Sequence, residues 1–115
     1  MKHKASCHCG KVAIEFEGEI TNALSCNCSI CQRKGSLLWF VPRDQATVQG
    51  ADDEFTTYTF NKHVIKHRFC KVCGVHPFGE GVDPKGNKVA AVNIRCIDGL
   101  DLSKIPVHHY DGRSV

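Results

Sequence analysis

Seven of the eight cysteines in this chain fall into three clusters: Cys7 and Cys9 as C-x-C, Cys26, Cys28 and Cys31 as C-x-C-x-x-C, and Cys70 and Cys73 as C-x-x-C. Thiols so spaced are soft donors that can converge on one ion, and zinc is the metal such sets hold tetrahedrally. A closed four-thiolate site is commonly built from two close pairs far apart in the chain. The economical partition puts Cys7, Cys9, Cys70 and Cys73 around one structural zinc. Cys26, Cys28 and Cys31 are left for a second zinc whose fourth position is open, the arrangement of a catalytic-type site. Spacing alone also allows Cys7 and Cys9 to join two of the middle three.

Other chemistries fit less well. Cys28-Ser29-Ile30-Cys31 or Cys70-Lys71-Val72-Cys73 could be redox dithiols, but such motifs belong beside a βαβ pattern that this chain lacks. Ligand type also permits an iron-sulfur cluster. Cys96, outside the clusters, reads most simply as a small buried hydrophobe, with completion of the three-thiol site as the alternative. His67 and His76 flank the C-x-x-C pair and read as hydrogen-bonding neighbours of ligands, since four thiols already suffice.

The elements that must position these thiols are mostly strands. Val12, Ile14 and Phe16 alternate with Lys11, Glu15 and Glu17, which marks a strand ended by Gly18. Gln32-Arg33-Lys34-Gly35 suggests one or two helical turns at the middle cluster, with Cys28 and Cys31 on one side and Gly35 as the stop. The apolar run Leu37 to Pro42 reads as a buried strand, with Trp39 and Phe40 in the core. A polar loop from Arg43 to Glu54 holds a brief strand at Thr47-Val48-Gln49. Phe55 to Phe60 and Val64 to Phe69 read as a hairpin turning at Asn61-Lys62-His63. The Gly/Pro-rich passage from Pro77 to Asn87 reads as loops, and Lys88 to Cys96 as a strand with Ala90, Val92, Ile94 and Cys96 on one face. The tail from Ile97 onward shows turn signals and no strong periodicity. The expectation is one mainly β domain over residues 1–115, with one short helix.

Composition excludes several classes. A net charge of +3, with basic residues interleaved among acids such as Glu15, Glu17, Asp52 and Asp53, is an ordinary surface; a nucleic-acid module would cluster its Lys and Arg. No stretch approaches the ~20 apolar residues of a membrane helix. The polar run Met1 to Cys7 lacks the apolar core of a signal peptide, so a cytoplasmic, reducing location is expected. Cysteines there serve as metal ligands more often than as disulfides. Hydrophobic residues make up 42% of the chain, slightly low for this length, so a metal staple would help.

The set Cys7-x-Cys9-Gly10-x-Val12, Cys26-x-Cys28-x-x-Cys31-x-Arg33-x-Gly35-Ser36, Phe69-Cys70-x-x-Cys73-Gly74 and Asn93-x-Arg95-Cys96-x-Asp98 resembles the glutathione-dependent formaldehyde-activating enzyme family. The stretch from Tyr58 to Asp98 resembles particularly its centromere protein V branch. The resemblance implies a β-tent, a zinc-stapled set of antiparallel sheets. It also implies that Cys7, Cys9, Cys70 and Cys73 form the structural site and Cys26, Cys28 and Cys31 the catalytic-type site. The implied activity is condensation of glutathione with formaldehyde to S-hydroxymethylglutathione, a carbon-sulfur lyase reaction in reverse, with a small-molecule thiol and aldehyde as partners. The open zinc would bind the thiol as thiolate or polarise the aldehyde, and Arg33, Lys34 or Lys71 would offset the thiolate charge and hold substrate carboxylates. The rival expectation is a binding module in which both zinc ions are structural, because a fold does not fix a reaction.

Overall fold

The computed structural model describes residues 2–60 and 64–114. In chain order the strands are β1 (Lys2–Ser6), β2 (Ala13–Glu17), β3 (Ala23–Cys26), β4 (Leu38–Pro42), β5 (Ala46–Gln49), β6 (Phe55–Tyr58), β7 (Lys66–Cys70), β8 (Phe78–Val82), β9 (Lys88–Asn93) and β10 (Val107–Tyr110). The helix α1 (Ser29–Lys34) lies between β3 and β4. A three-stranded sheet has the order β1-β2-β5, and a seven-stranded sheet the order β10-β3-β4-β9-β8-β7-β6. Neighbours are antiparallel except β10 and β3, which run parallel. The expected antiparallel fold is therefore mixed at one edge.

Elements with a strong period-2 signal stand where the sequence puts them, including β2 and the β6–β7 pair; the expected turn at residues 61–63 lies outside the described residues. Four strands escape the sequence reading. Phe78–Val82 lies inside the passage read as loops, yet β8 is central, hydrogen-bonded to both β7 and β9. Gly79 and Gly81 occupy its alternate positions, which removes the apolar rhythm of a buried strand. A Cβ on Gly79 would meet the Lys66 carbonyl oxygen at 3.2 Å and the His76 ring at 3.7 Å, so close approach explains the glycine. β1, β3 and β10 are short or polar: β10 is exposed throughout, and β1 buries only Ala5. The strand expected from Lys88 to Cys96 stops at Asn93, where a 3-10 turn over Ile94–Cys96 begins. Asn93 caps that turn, its side-chain oxygen accepting from the Arg95 N–H at 3.2 Å.

The register of the large sheet separates two faces. The cross-strand row Thr57, Arg68, Phe78, Val92, Trp39 points toward the core. Phe78 and Val92 are fully buried there, beside Ile14 of the small sheet and Val12 just before it. Each such side chain contributes about 1.5–3 kcal/mol by leaving water. Phe78 also meets Phe55 edge-on, with ring centroids 5.6 Å apart. The alternate row, Tyr58, His67, Gly79, Ala91, Phe40, lies on the opposite face because side chains alternate along a strand. This placement corrects the expectation for Phe40, which is 47% exposed, while Trp39 packs against the core as expected. No helix of the described residues is long and apolar enough to cross a membrane.

Candidate metal centre

The turn after β1 carries Cys7 and Cys9, and the turn after β7 carries Cys73 beside Cys70. Both turns are knuckles. The Cys7 N–H bonds the Val12 carbonyl at 3.0 Å and the Cys70 N–H bonds the Val75 carbonyl at 2.9 Å. Gly10 and Gly74 take the positive φ, 83° and 80°, that each tight turn needs. The four sulfurs converge within 4.8 Å of one another, with Cys7 and Cys70 buried. The Cys7–Cys9 and Cys9–Cys70 Sγ separations are both 3.6 Å. A tetrahedral zinc with Zn–S of about 2.3 Å spaces its sulfurs by about 3.8 Å, so the group matches that ion. It joins the turn between the first two strands of the small sheet to the end of β7 in the large one.

The environment of this group favours thiolate at some members and thiol at others. The N–H groups of Val72 and Cys73 reach Cys70 Sγ at 3.4 and 3.5 Å. The Cys73 N–H bond is the main cause that holds the Cys70 thiol below its usual range. Burial would raise Cys73, but N–H donors from Val75 and Cys9 and the thiols of Cys70 and Cys7 bring it down to about 6. The Lys11 N–H would lower Cys9, yet burial and the three neighbouring thiols push it up to about 11. Adjacent sulfurs resist ionising together until a cation joins them.

Cys26 ends β3, Cys28 precedes α1 and Cys31 stands in it. Their sulfurs also lie within 4.8 Å of one another, and all three residues are partly exposed. The helix ends as the sequence suggests, with Gly35 at φ 68° and its N–H on the Cys31 carbonyl at 2.9 Å. The Cys28 N–H reaches Cys26 Sγ at 3.5 Å. Burial opposes ionisation of Cys28, but N–H groups of Cys31 and Ile30 and the neighbouring thiols outweigh it and lower its pKa. Cys31 is pushed up to about 12 by burial, then by Cys28 and Cys26. A divalent cation would resolve that crowding of like charge.

Cys96 belongs to neither group. Its thiol donates to the His76 carbonyl oxygen at 3.6 Å. Burial, with the charges of Cys7, Cys73 and Asp98, pushes it up to about 11. It lies outside the three-cysteine group and is partly exposed, where the sequence reading expects it buried. His67 and His76 stand beside the knuckle and outside both groups, each 3.2 Å from Lys34 Nζ through one ring nitrogen. A cleft of about 410 Å³ opens next to α1, lined by Ser29, Ile30, Arg33, Tyr58 and Phe60.

The family model of the glutathione-dependent formaldehyde-activating enzymes matches residues 2–112. The chain belongs to this family. The match is to the formaldehyde-activating family as a whole and does not separate its branches. A crystal structure of a Rhodobacter sphaeroides protein, a structural-genomics target, is similar to the chain at a TM-score of 0.76 and 27% identity. That likeness covers 94% of this chain and 100% of the other. Both cysteine groups of this family member could hold metal ions.

One part of the site had no local signal. The parallel pairing of β10 with β3 sets Tyr110 opposite Cys26, and Asn27 ties the next turn down through Asp111 at 2.9 Å. Gly112 then packs on the Cys26 sulfur: a Cβ there would run into Cys26 Sγ and stand 3.4 Å from Cys28 Cβ. Asp111-Gly112 reads as a turn in sequence, and only the strand pairing shows what the turn touches. Gly112→Ala is expected to weaken metal at the three-cysteine group about tenfold or more, the effect of disturbing a ligand's support, and to leave the four-cysteine group unchanged. Chelator competition that resolves the two classes of metal measures this; equal release from variant and wild type would refute the close packing.

Proposed function

We propose that this chain condenses a thiol with a small aldehyde, glutathione and formaldehyde by family analogy, at zinc held by Cys26, Cys28 and Cys31. A second zinc, held by Cys7, Cys9, Cys70 and Cys73, staples the two sheets. The observation that carries the reading is the inequality of the two groups, four converging sulfurs in one and three in the other. Four thiolates close a tetrahedral ion; three leave a position for substrate. Zinc there supplies Lewis acidity and lowers the pKa of an entering thiol. The chain's own residues do the rest. Cys26, Cys28 and Cys31 hold the ion from a strand end and one helical turn. The cleft beside Arg33, Tyr58 and Phe60 is of ligand-pocket size, about 300–1,000 Å³ in general, and its guanidinium offers a partner to a substrate carboxylate.

Zinc analysis and product formation from glutathione and formaldehyde, corrected for the spontaneous reaction, test the proposal together. Two zinc ions per chain are expected, one removed readily by chelator, and the catalysed rate is expected to vanish with that one. A single tightly held zinc and no rate above the spontaneous one would replace the enzyme by a zinc-stabilised binding module.

A further inference from the structure

Lys34, the last residue of α1, is half-buried on the non-core face of the large sheet. Its ammonium lies 3.2 Å from His67 Nδ1 and 3.2 Å from His76 Nε2. No carboxylate comes within 4.0 Å of it among the described residues. The acceptor roles of both rings follow from their other nitrogens. His76 Nδ1 lies 2.9 Å from the Arg68 carbonyl oxygen, so it carries the proton and leaves Nε2 to accept from Lys34. His67 accepts at Nδ1, so its proton is on Nε2, a buried atom with no partner among the described residues. An unpaired buried donor costs about 1–3 kcal/mol, while the other ring nitrogen is engaged by Lys34. Burial first, and the lysine charge second, push His67 down to about 4 and His76 to about 3, which keeps both rings neutral.

A buried cation ordinarily has an anionic partner. Here the hydrogen-bonded partners in the fold are neutral; Cys31 stands one helical turn before Lys34 in α1, and burial lowers the Lys34 pKa while the charges of Cys31, Cys28 and Cys26 oppose that. Two of its three N–H donors are engaged, which leaves one for a ligand. Three thiolates on a divalent ion would leave one net negative charge for the lysine to balance, but balance alone would need no clamp of two oriented rings.

The geometry points to Lys34 as the residue that hydrogen-bonds the oxygen of the adduct at the three-cysteine site, with His67 and His76 as positioning residues that aim it. This role rests on the thiol-binding reading of that site. When sulfur adds to the aldehyde, its lone pair forms the S–C bond and the C=O π pair moves onto oxygen, where the third N–H of Lys34 meets it. The entering thiol gives up one proton and the oxygen takes up one, so Lys34 is an ammonium before and after.

The test compares two ligands of equal charge on the zinc-loaded protein by calorimetry: 2-mercaptoethanol, which carries a hydroxyl oxygen close to its sulfur, and ethanethiol, which does not. Wild type is expected to prefer 2-mercaptoethanol by about tenfold or more, the range of a hydrogen bond from a charged group. In Lys34→Met, with zinc content unchanged, the ratio is expected to fall to about one. A role limited to balancing charge would weaken both thiols and keep the ratio. Should Lys34→Met not fold, Lys34→Gln, which still offers a donor to the two rings, carries the same comparison. No preference in wild type, or an unchanged ratio in the neutral variant, overturns the role. Turnover is read separately. A preference without turnover sustains Lys34 and removes the enzyme; turnover without a preference removes Lys34 and sustains the enzyme.

Discussion

Cys28→Ser is expected to lose the catalysed condensation by about 100-fold or more while the protein stays folded. That exceeds the ~10–100-fold that follows loss of a residue merely supporting a ligand, because serine is a poor zinc donor and only three sulfurs are present in the group. Cys28 is also the member of the group whose ionisation its surroundings favour, through N–H groups of Cys31 and Ile30 acting against burial. The fold should survive because α1 buries no residue and none of Cys26, Cys28 and Cys31 belongs to the hydrophobic core. Zinc content is expected to fall by one ion per chain with little change in the melting temperature. A folded Cys28→Ser protein that turns over at the wild-type rate would end the assignment of catalysis to this group.

Cys70→Ser should do the opposite, removing the fold before the chemistry. Cys70 is 1% exposed and lies in the core cluster with Cys7, Phe55 and Phe78. Its sulfur takes two backbone N–H bonds, at 3.4 and 3.5 Å, and stands 3.6 Å from Cys9 Sγ. Serine shortens the bond to the donor atom and leaves a group of three sulfurs joining the two sheets. The expected loss is more than about 4 kcal/mol, at the exceptional end for one substitution, since the binding energy of a structural zinc is folding energy. Domains are stable by only about 5–15 kcal/mol, so much of the variant should be unfolded. Denaturant melts with and without chelator measure this: chelation should destabilise wild type strongly and the variant hardly at all. Equal midpoints for variant and wild type would show that these thiols staple nothing.

Both outcomes depend on groupings that are partly legible in the chain's local patterns. The helical stop at Gly35, the alternation of Val12, Ile14 and Phe16, and the pairing of the strands flanking residues 61–63 are local signals, and each sits where its signal places it. β8 is illegible because its glycines erase the apolar rhythm of a buried strand, and Gly79 yields to the Lys66 backbone carbonyl, a demand that arises only after β7 is in place. β10 is illegible because an exposed edge strand buries neither face and so has no hydrophobic period to show.

The sequence by itself determined which thiols stand close together, since C-x-C and C-x-x-C spacings confine their sulfurs within single turns. It also carried the family, through motifs spread along nearly the whole chain. The tertiary structure decided that the outer two clusters meet, that Gly112 lies on Cys26, and that Lys34 stands between His67 and His76, positions 33 and 42 residues away. Contacts at that separation are made by sheet register and helix placement, and no periodicity within a single element encodes them.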